Sequence, residues 1–173
     1  MKIIFIAGVH GVGKGVIADL ITKKYQLEAY SSSSLIKSEK KAKVDINKIV
    51  QDPSENQDFL SLAINKLTPN SSAILLDGHF CLNTENGIFK VPTSTFEALD
   101  LEAIFLIKEA PRVIHERLLK RDGEAMNLEL IENLQKEEVI QAGIISSNLC
   151  IPLIVSDKGS TQYIDKYLEK YIN

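Results

Sequence analysis

The sequence predicts an α/β fold, a five-stranded parallel sheet flanked by helices in a single domain. Three observations carry that expectation. Five short apolar runs recur along the chain, separated by stretches of helical periodicity. Those separations leave room for crossover helices, which parallel strands require and hairpins do not. The 173 residues, 45% hydrophobic and 25% charged, suit one core rather than two.

Residues 3–7 are the first strand. A helix follows from Val16, with Ile17, Leu20 and Ile21 as its apolar stripe and Lys23 and Lys24 at its negative end. Residues 27–30 form a short second strand. The serine run 31–34 then supplies an N-cap for a helix opening at Leu35 and Ile36. Residues 37–48 are lysine-rich and read as a solvated loop or helix face. Asp52-Pro53-Ser54-Glu55 starts another helix, with Phe59, Leu60, Ala63, Ile64 and Leu67 on its apolar side. Residues 69–72 end it.

Residues 73–77 are the third strand, and their apolar body predicts a central position covered on both faces. Asn86-Gly87 lies between Phe80-Cys81-Leu82 and Ile88-Phe89, a hairpin signal. Residues 103–107 are the fourth strand. Pro111 suits the first turn of the next helix, which carries Val113, Ile114, Arg117, Leu118 and Arg121 and breaks at Asp122-Gly123. A long helix spans about 127 to 146. Residues 151–155 are the fifth strand, and Pro152 places it at an edge or marks its beginning. Tyr163, Ile164, Tyr167, Leu168 and Tyr171 mark the last helix.

The turn after the first strand, Gly8-Val9-His10-Gly11-Val12-Gly13-Lys14, has the layout of a phosphate-binding P-loop. Its glycines let successive N–H groups turn inward, and the following helix adds its positive end. Gly8, His10, Gly11, Val12, Gly13, Lys14, Gly15 and Val16 are therefore the candidate ATP-binding residues. One position departs from the pattern. Gly15 stands where a Ser or Thr hydroxyl ordinarily meets Mg2+. Water can fill that ligand position, so triphosphate binding is expected to persist with looser metal placement.

Asp77 ends the third strand. A carboxylate there either caps a turn or holds Mg2+, directly or through water, and the P-loop in the same chain favours the metal role. The chain has three arginines, Arg112, Arg117 and Arg121, all on one helix. Arg117 and Arg121 share a face and are candidates for gripping phosphate oxygens, against pairing with Glu116 or Glu124 on a solvated surface. Lys14, Asp77, Arg117 and Arg121 are thus the candidate catalytic set. His10 either touches a phosphate or shapes the loop, His79 sits two residues past Asp77, and His115 reads as a helix-surface residue. None has the partners of a metal cluster or a nucleophilic triad.

A net charge of −3 provides no overall basic field for nucleic acid or membrane, though a local basic cleft for a nucleotide is compatible with it. Cys81 and Cys150 have no metal spacing and read as reduced, mostly buried thiols in a cytoplasmic protein. The first apolar run is too short and too soon interrupted by Gly8 to read as a signal peptide.

In this order the residues resemble the nucleoside monophosphate kinases, and within them the adenylate kinase family of archaea and eukaryotic nuclei. The loop 8–14 resembles that family's Walker A segment, and Asp77-Gly78-His79 its Walker B-like strand end. Ser34-Leu35-Ile36-Lys37 is similar to the opening of its monophosphate-binding region, and residues 116–121 to its short lid. Residues 132–138 are similar to the helix after the lid. The resemblance implies ATP and Mg2+ as cofactors and a nucleoside monophosphate as acceptor. It also implies an acceptor region over about 31–66 with Ser33, Ser34, Leu35 and His79 binding substrate, and a lid over about 117–127 where Arg121 touches ATP. The acceptor region departs from the family in having no arginine, and Lys43 or Lys48 would offer point charges rather than a bidentate grip. The expectations are a kinase acting on a nucleotide or similar small metabolite, or a coenzyme precursor. The alternative is a nucleotide-binding regulatory or assembly protein with weak ATPase activity, read by a protein partner.

Overall fold

The computed structural model describes residues 2–44 and 55–171. In chain order the elements are β1 (Lys2–Ala7), α1 (Lys14–Tyr25), β2 (Glu28–Ser31), α2 (Ser32–Val44), α3 (Glu55–Asn65), β3 (Ala73–Asp77) and β4 (Cys81–Thr84). They continue with β5 (Gly87–Lys90), α4 (Thr93–Glu97), β6 (Leu101–Lys108), α5 (Pro111–Asp122), α6 (Leu128–Leu149), β7 (Leu153–Asp157) and α7 (Gln162–Tyr171). Five strands form one parallel sheet in the order β2-β3-β1-β6-β7, flanked by helices, which is the fold of P-loop kinases. β4 and β5 form the separate antiparallel hairpin expected at Asn86-Gly87.

The core follows from the composition of the strands. Ile3 to Ala7 and Ala73 to Leu76 are buried, as are Ala103 to Ile107. Strands covered on both faces have no polar side to present, so they read as continuous apolar runs. β3 is an interior strand between β2 and β1, and β7 is an edge, in keeping with Pro152. Phe5, Phe80 and Phe96 pack with ring centroids 5.1, 5.3 and 4.9 Å apart, joining β1 to the segment after β3 and to α4. Such aromatic groups contribute beyond their buried area.

Several expectations are corrected. Ser32, Ser33 and Ser34 lie inside the first turn of α2 rather than before it; the N–H groups of a first turn lack helical partners, which suits serine there. Leu20 is 53% exposed because α1 meets the core through Ile17, Ala18 and Ile21. Cys150 is exposed at the left-handed end of α6, while Cys81 is buried and its thiol is pushed up to about 12, chiefly by burial. α4 has five residues, too few to show a period in sequence. The helix start read at 52–54, and Lys48, lie outside the described residues.

The chain leaves β3 directly over the Phe5 ring. A Cβ on Gly78 would stand 2.6 Å from Phe5 Cζ, so glycine is what lets Asp77 and His79 sit beside the core. Gly78→Ala is expected to cost about 1–3 kcal/mol through overpacking. Urea unfolding measures this, and an unchanged midpoint would contradict the packing described.

Candidate functional site

The glycine-rich turn forms because β1 must stop against β6 and α1 must start at once. Gly8 has φ +143°, and a Cβ there would meet the Ile107 carbonyl oxygen at 2.5 Å. Gly13 caps α1 in the left-handed region at φ +106°. Between them Val12 N–H donates to the Val9 carbonyl at 3.2 Å, closing the turn. α1 begins at Lys14, so its first free N–H groups and the positive end of its dipole lie at the loop.

Lys14 is 7% exposed, and its Nζ donates to the Gly8 carbonyl at 2.7 Å. It stands 3.6 Å from Asp77 Oδ1, beyond hydrogen-bond length. Burial lowers its pKa, and the negative charges of Asp77 and Glu138 oppose that shift. Asp77 itself is placed by register, opposite Ile6 of β1 on one side and Ser31 of β2 on the other. Among the described residues, its buried Oδ1 meets no hydrogen-bond partner.

A carboxylate oxygen that accepts no hydrogen bond suits a divalent cation. Among the described residues, no group of three or more His, Cys, Asp or Glu is placed to hold a metal ion by itself. Mg2+ has no such need, since it keeps several waters and takes one or two carboxylates beside substrate phosphates. Gly15 is exposed at the start of α1, and a Cβ there would meet nothing within 4 Å. The loop therefore lacks a hydroxyl for the metal while having room for one.

α5 brings Arg117 and Arg121 to the loop. Arg117 Nη1 donates to the Val12 carbonyl at 2.8 Å, and its Nη2 donates to Glu109 Oε2 at 3.1 Å. Both ends of its guanidinium are thus engaged with the protein, so it braces the loop. Arg121 pairs with the adjacent Asp122 and sets Nη2 2.8 Å from His10 Nε2. Because arginine can only donate, His10 accepts there and is neutral. Its pKa is lowered first by burial, then by Arg121, His79 and Lys14. Residues 117–127 comprise the end of α5 and the turn into α6, where Gly123 is a left-handed cap.

The first turn of α2 lies beside Asp77, since β2 ends at Ser31. Ser33 and Ser34 are exposed there, and Leu35 packs partly against the core. Two residues of this region were not singled out by sequence reasoning. Ser32 places Oγ 3.0 Å from where a Gly78 Cβ would be, and Glu138 is 1% exposed. Glu138 Oε1 accepts the Phe80 and Cys81 N–H groups at 3.0 and 3.1 Å and lies 3.8 Å from His79 Nδ1. Ser32 Oγ and Glu138 Oε2 are buried and, among the described residues, meet no hydrogen-bond partner. A signal for Glu138 existed. It falls on the buried stripe Ile131, Leu134, Glu138, Ala142, Ile145, where an unpaired carboxylate would be costly.

Comparison with solved structures shows the same fold at low identity. A gluconokinase from Sinorhizobium meliloti aligns at a TM-score of 0.57 and 12% identity, over 99% of this chain and 93% of that one. A sugar kinase from Janibacter sp. aligns at 0.56 and 16%, over 98% and 93%. An uncharacterized protein from Eubacterium ventriosum aligns at 0.52 and 15%, over 99% and 98%. No curated protein sequence matches the chain significantly. Among the described residues, no helix is long and apolar enough to cross a membrane. Residues 7–135, from the end of β1 through the loop, Asp77 and both clustered arginines into α6, match the model of the AAA domain family, and the chain belongs to that family.

Proposed function

We propose that the chain transfers a phosphoryl group from ATP to a small hydroxylated metabolite. One observation carries this reading: a glycine-rich loop opening a helix sets a buried ammonium 3.6 Å from Asp77 Oδ1, a buried carboxylate oxygen that, among the described residues, accepts no hydrogen bond. The loop N–H groups and Lys14 would hold the phosphate chain, and Asp77 would hold Mg2+ through its carboxylate. When bound, Mg2+ neutralises charge on the phosphate oxygens. Arg121, engaged at the surface by Asp122 and His10, would turn onto the triphosphate, while Arg117 keeps the Val12 carbonyl in place. Ser33, Ser34, Leu35 and His79 would flank the acceptor on the α2 side.

The acceptor class rests on charge. Residues 31–66 contain no arginine, so a phosphate monoester would find no bidentate partner among them. The fold likeness to a gluconokinase and a sugar kinase supports the same choice. A nucleoside monophosphate, the acceptor implied by the adenylate kinase resemblance, is the competing case. A panel of sugars, sugar acids and nucleoside monophosphates with Mg-ATP tests it. A phosphorylated sugar or sugar acid is expected. Product formed from AMP would instead assign the monophosphate acceptor. Gly15 favours one further reading, a nucleotide-responsive regulatory protein with weak ATPase activity, and ATP hydrolysis without transfer to any acceptor would establish it.

Two substitutions test the machinery itself. Lys14→Ala removes a charge-assisted contact of about 1.5–3 kcal/mol and is expected to weaken ATP about 10- to 150-fold by calorimetry. Unchanged affinity would contradict the phosphate role. Gly15→Ser should raise Mg2+ dependence and turnover, since its side chain enters open space at the helix start. A variant with unaltered Mg2+ response would show that water already fills that position adequately.

A further inference from the structure

The sheet ends at β7, and the alternation of its peptide groups can be read from two hydrogen bonds. Ile104 N–H donates to the Pro152 carbonyl at 2.9 Å, and Lys158 N–H donates to the Lys108 carbonyl at 3.1 Å. Peptide directions alternate along a strand, so Pro152, Ile154, Ser156 and Lys158 face β6. Leu153 and Val155 therefore aim their N–H and C=O groups at the open edge. β7 is apolar there, and α7 overhangs it. Together they border an open groove of about 440 Å3, lined by Leu153, Ile154 and Val155 of β7 and by Tyr163, Lys166, Tyr167 and Lys170 of α7.

α7 sorts its charges between two faces. Asp165 and Glu169, one turn apart, both face α1, where they meet Lys24 Nζ at 3.0 and 3.6 Å. Asp165 also accepts the Tyr25 hydroxyl at 2.8 Å. The acids of the helix are thus spent on its docking. Lys166 and Lys170, also one turn apart, line the groove and are exposed. Asp157, at the end of β7, is 3.5 Å from Lys108 on the neighbouring strand.

We propose that this edge binds an extended acidic segment of a partner protein as a sixth strand of the sheet. The outward peptide groups of Leu153 and Val155 supply the ladder, the β7 side chains and Tyr163 supply apolar contact, and Lys166 and Lys170 select acidic residues. The same lysines disfavour a second copy of the chain. Pairing two β7 edges about a two-fold axis would bring two basic α7 faces toward each other, and like charges so placed repel. The inference is independent of the phosphoryl acceptor, because β7 and α7 carry none of the residues placed at the nucleotide.

The test uses the full chain and a fluorescein-labelled peptide alternating glutamate and valine, with its lysine–valine counterpart as control. Fluorescence anisotropy should show saturable binding of the acidic peptide, with the basic one weaker by at least about tenfold, or about 1.4 kcal/mol. Binding should weaken as salt rises and should slow amide exchange at Leu153 and Val155. Val155→Pro removes an outward N–H while leaving the β6 ladder, which uses Ile154 and Ser156, and should lower affinity about tenfold. Lys166→Glu combined with Lys170→Glu should reverse the peptide preference, and it decides the matter if Val155→Pro does not fold. Absent binding, equal affinity for both peptides, or unchanged exchange at the edge would overturn the proposal. So would a dimer of the chain that Val155→Pro dissolves, since that would assign the edge to a second copy.

Discussion

The structure depends on a buried ammonium. Lys14 is drawn almost wholly out of water at the start of α1, and that burial opposes its charge. What sustains it is local: a carbonyl of its own loop at 2.7 Å and the negative field of Asp77 and Glu138. An ammonium carries three donors, and the Gly8 carbonyl takes one. An anion arriving at the loop would therefore find a partly desolvated cation beside a row of backbone N–H groups, where electrostatic attraction is stronger than at an open surface.

The sheet makes that arrangement possible. Parallel strands deliver all their carboxyl ends to one edge, so the loop after β1, Asp77 at the end of β3 and Glu109 after β6 meet without any long excursion of the chain. Glu138 ties the same region to α6 by accepting two N–H groups beyond Asp77, and Arg117 ties α5 to the loop through the Val12 carbonyl. Cations and carboxylates share the site, with Arg121 beside His10 over the loop and Lys14 beneath it near Asp77 and Glu138. Among the described residues, three buried oxygens of this region meet no hydrogen-bond partner: Ser32 Oγ, Asp77 Oδ1 and Glu138 Oε2.

Much of this was legible in the sequence, and the reasons are physical. The five strands show as apolar runs because both faces of the sheet are covered, and the P-loop shows because its glycines are demanded by close backbone approach, as at Gly8 against Ile107. Asn86-Gly87 fixed the hairpin by turn chemistry alone. Side-chain partners were less legible. Arg117 and Arg121 look equivalent in sequence, yet Arg117 is engaged by a loop carbonyl and Glu109, while Arg121 remains at the surface with Asp122 and His10. Val12 and His10, the partners that separate the two arginines, are distant from α5 in sequence, so no spacing reveals them. Ser32 was hidden in a run of four serines, and only the path over Phe5 distinguishes it from its neighbours. The edge position of β7 was legible only as one of two readings of Pro152, an edge or the strand's beginning, and the strand order decides for the edge.

The central claim is that the loop after β1 receives a polyphosphate. Titration of the isotopically labelled chain with ATP, followed by backbone amide chemical shifts, tests it most directly. The account predicts saturable shifts concentrated at the amides of residues 11–15, larger with ATP than with AMP, since contact is to the phosphate chain. Saturable binding that leaves those amides unmoved while shifting another part of the sheet would contradict it.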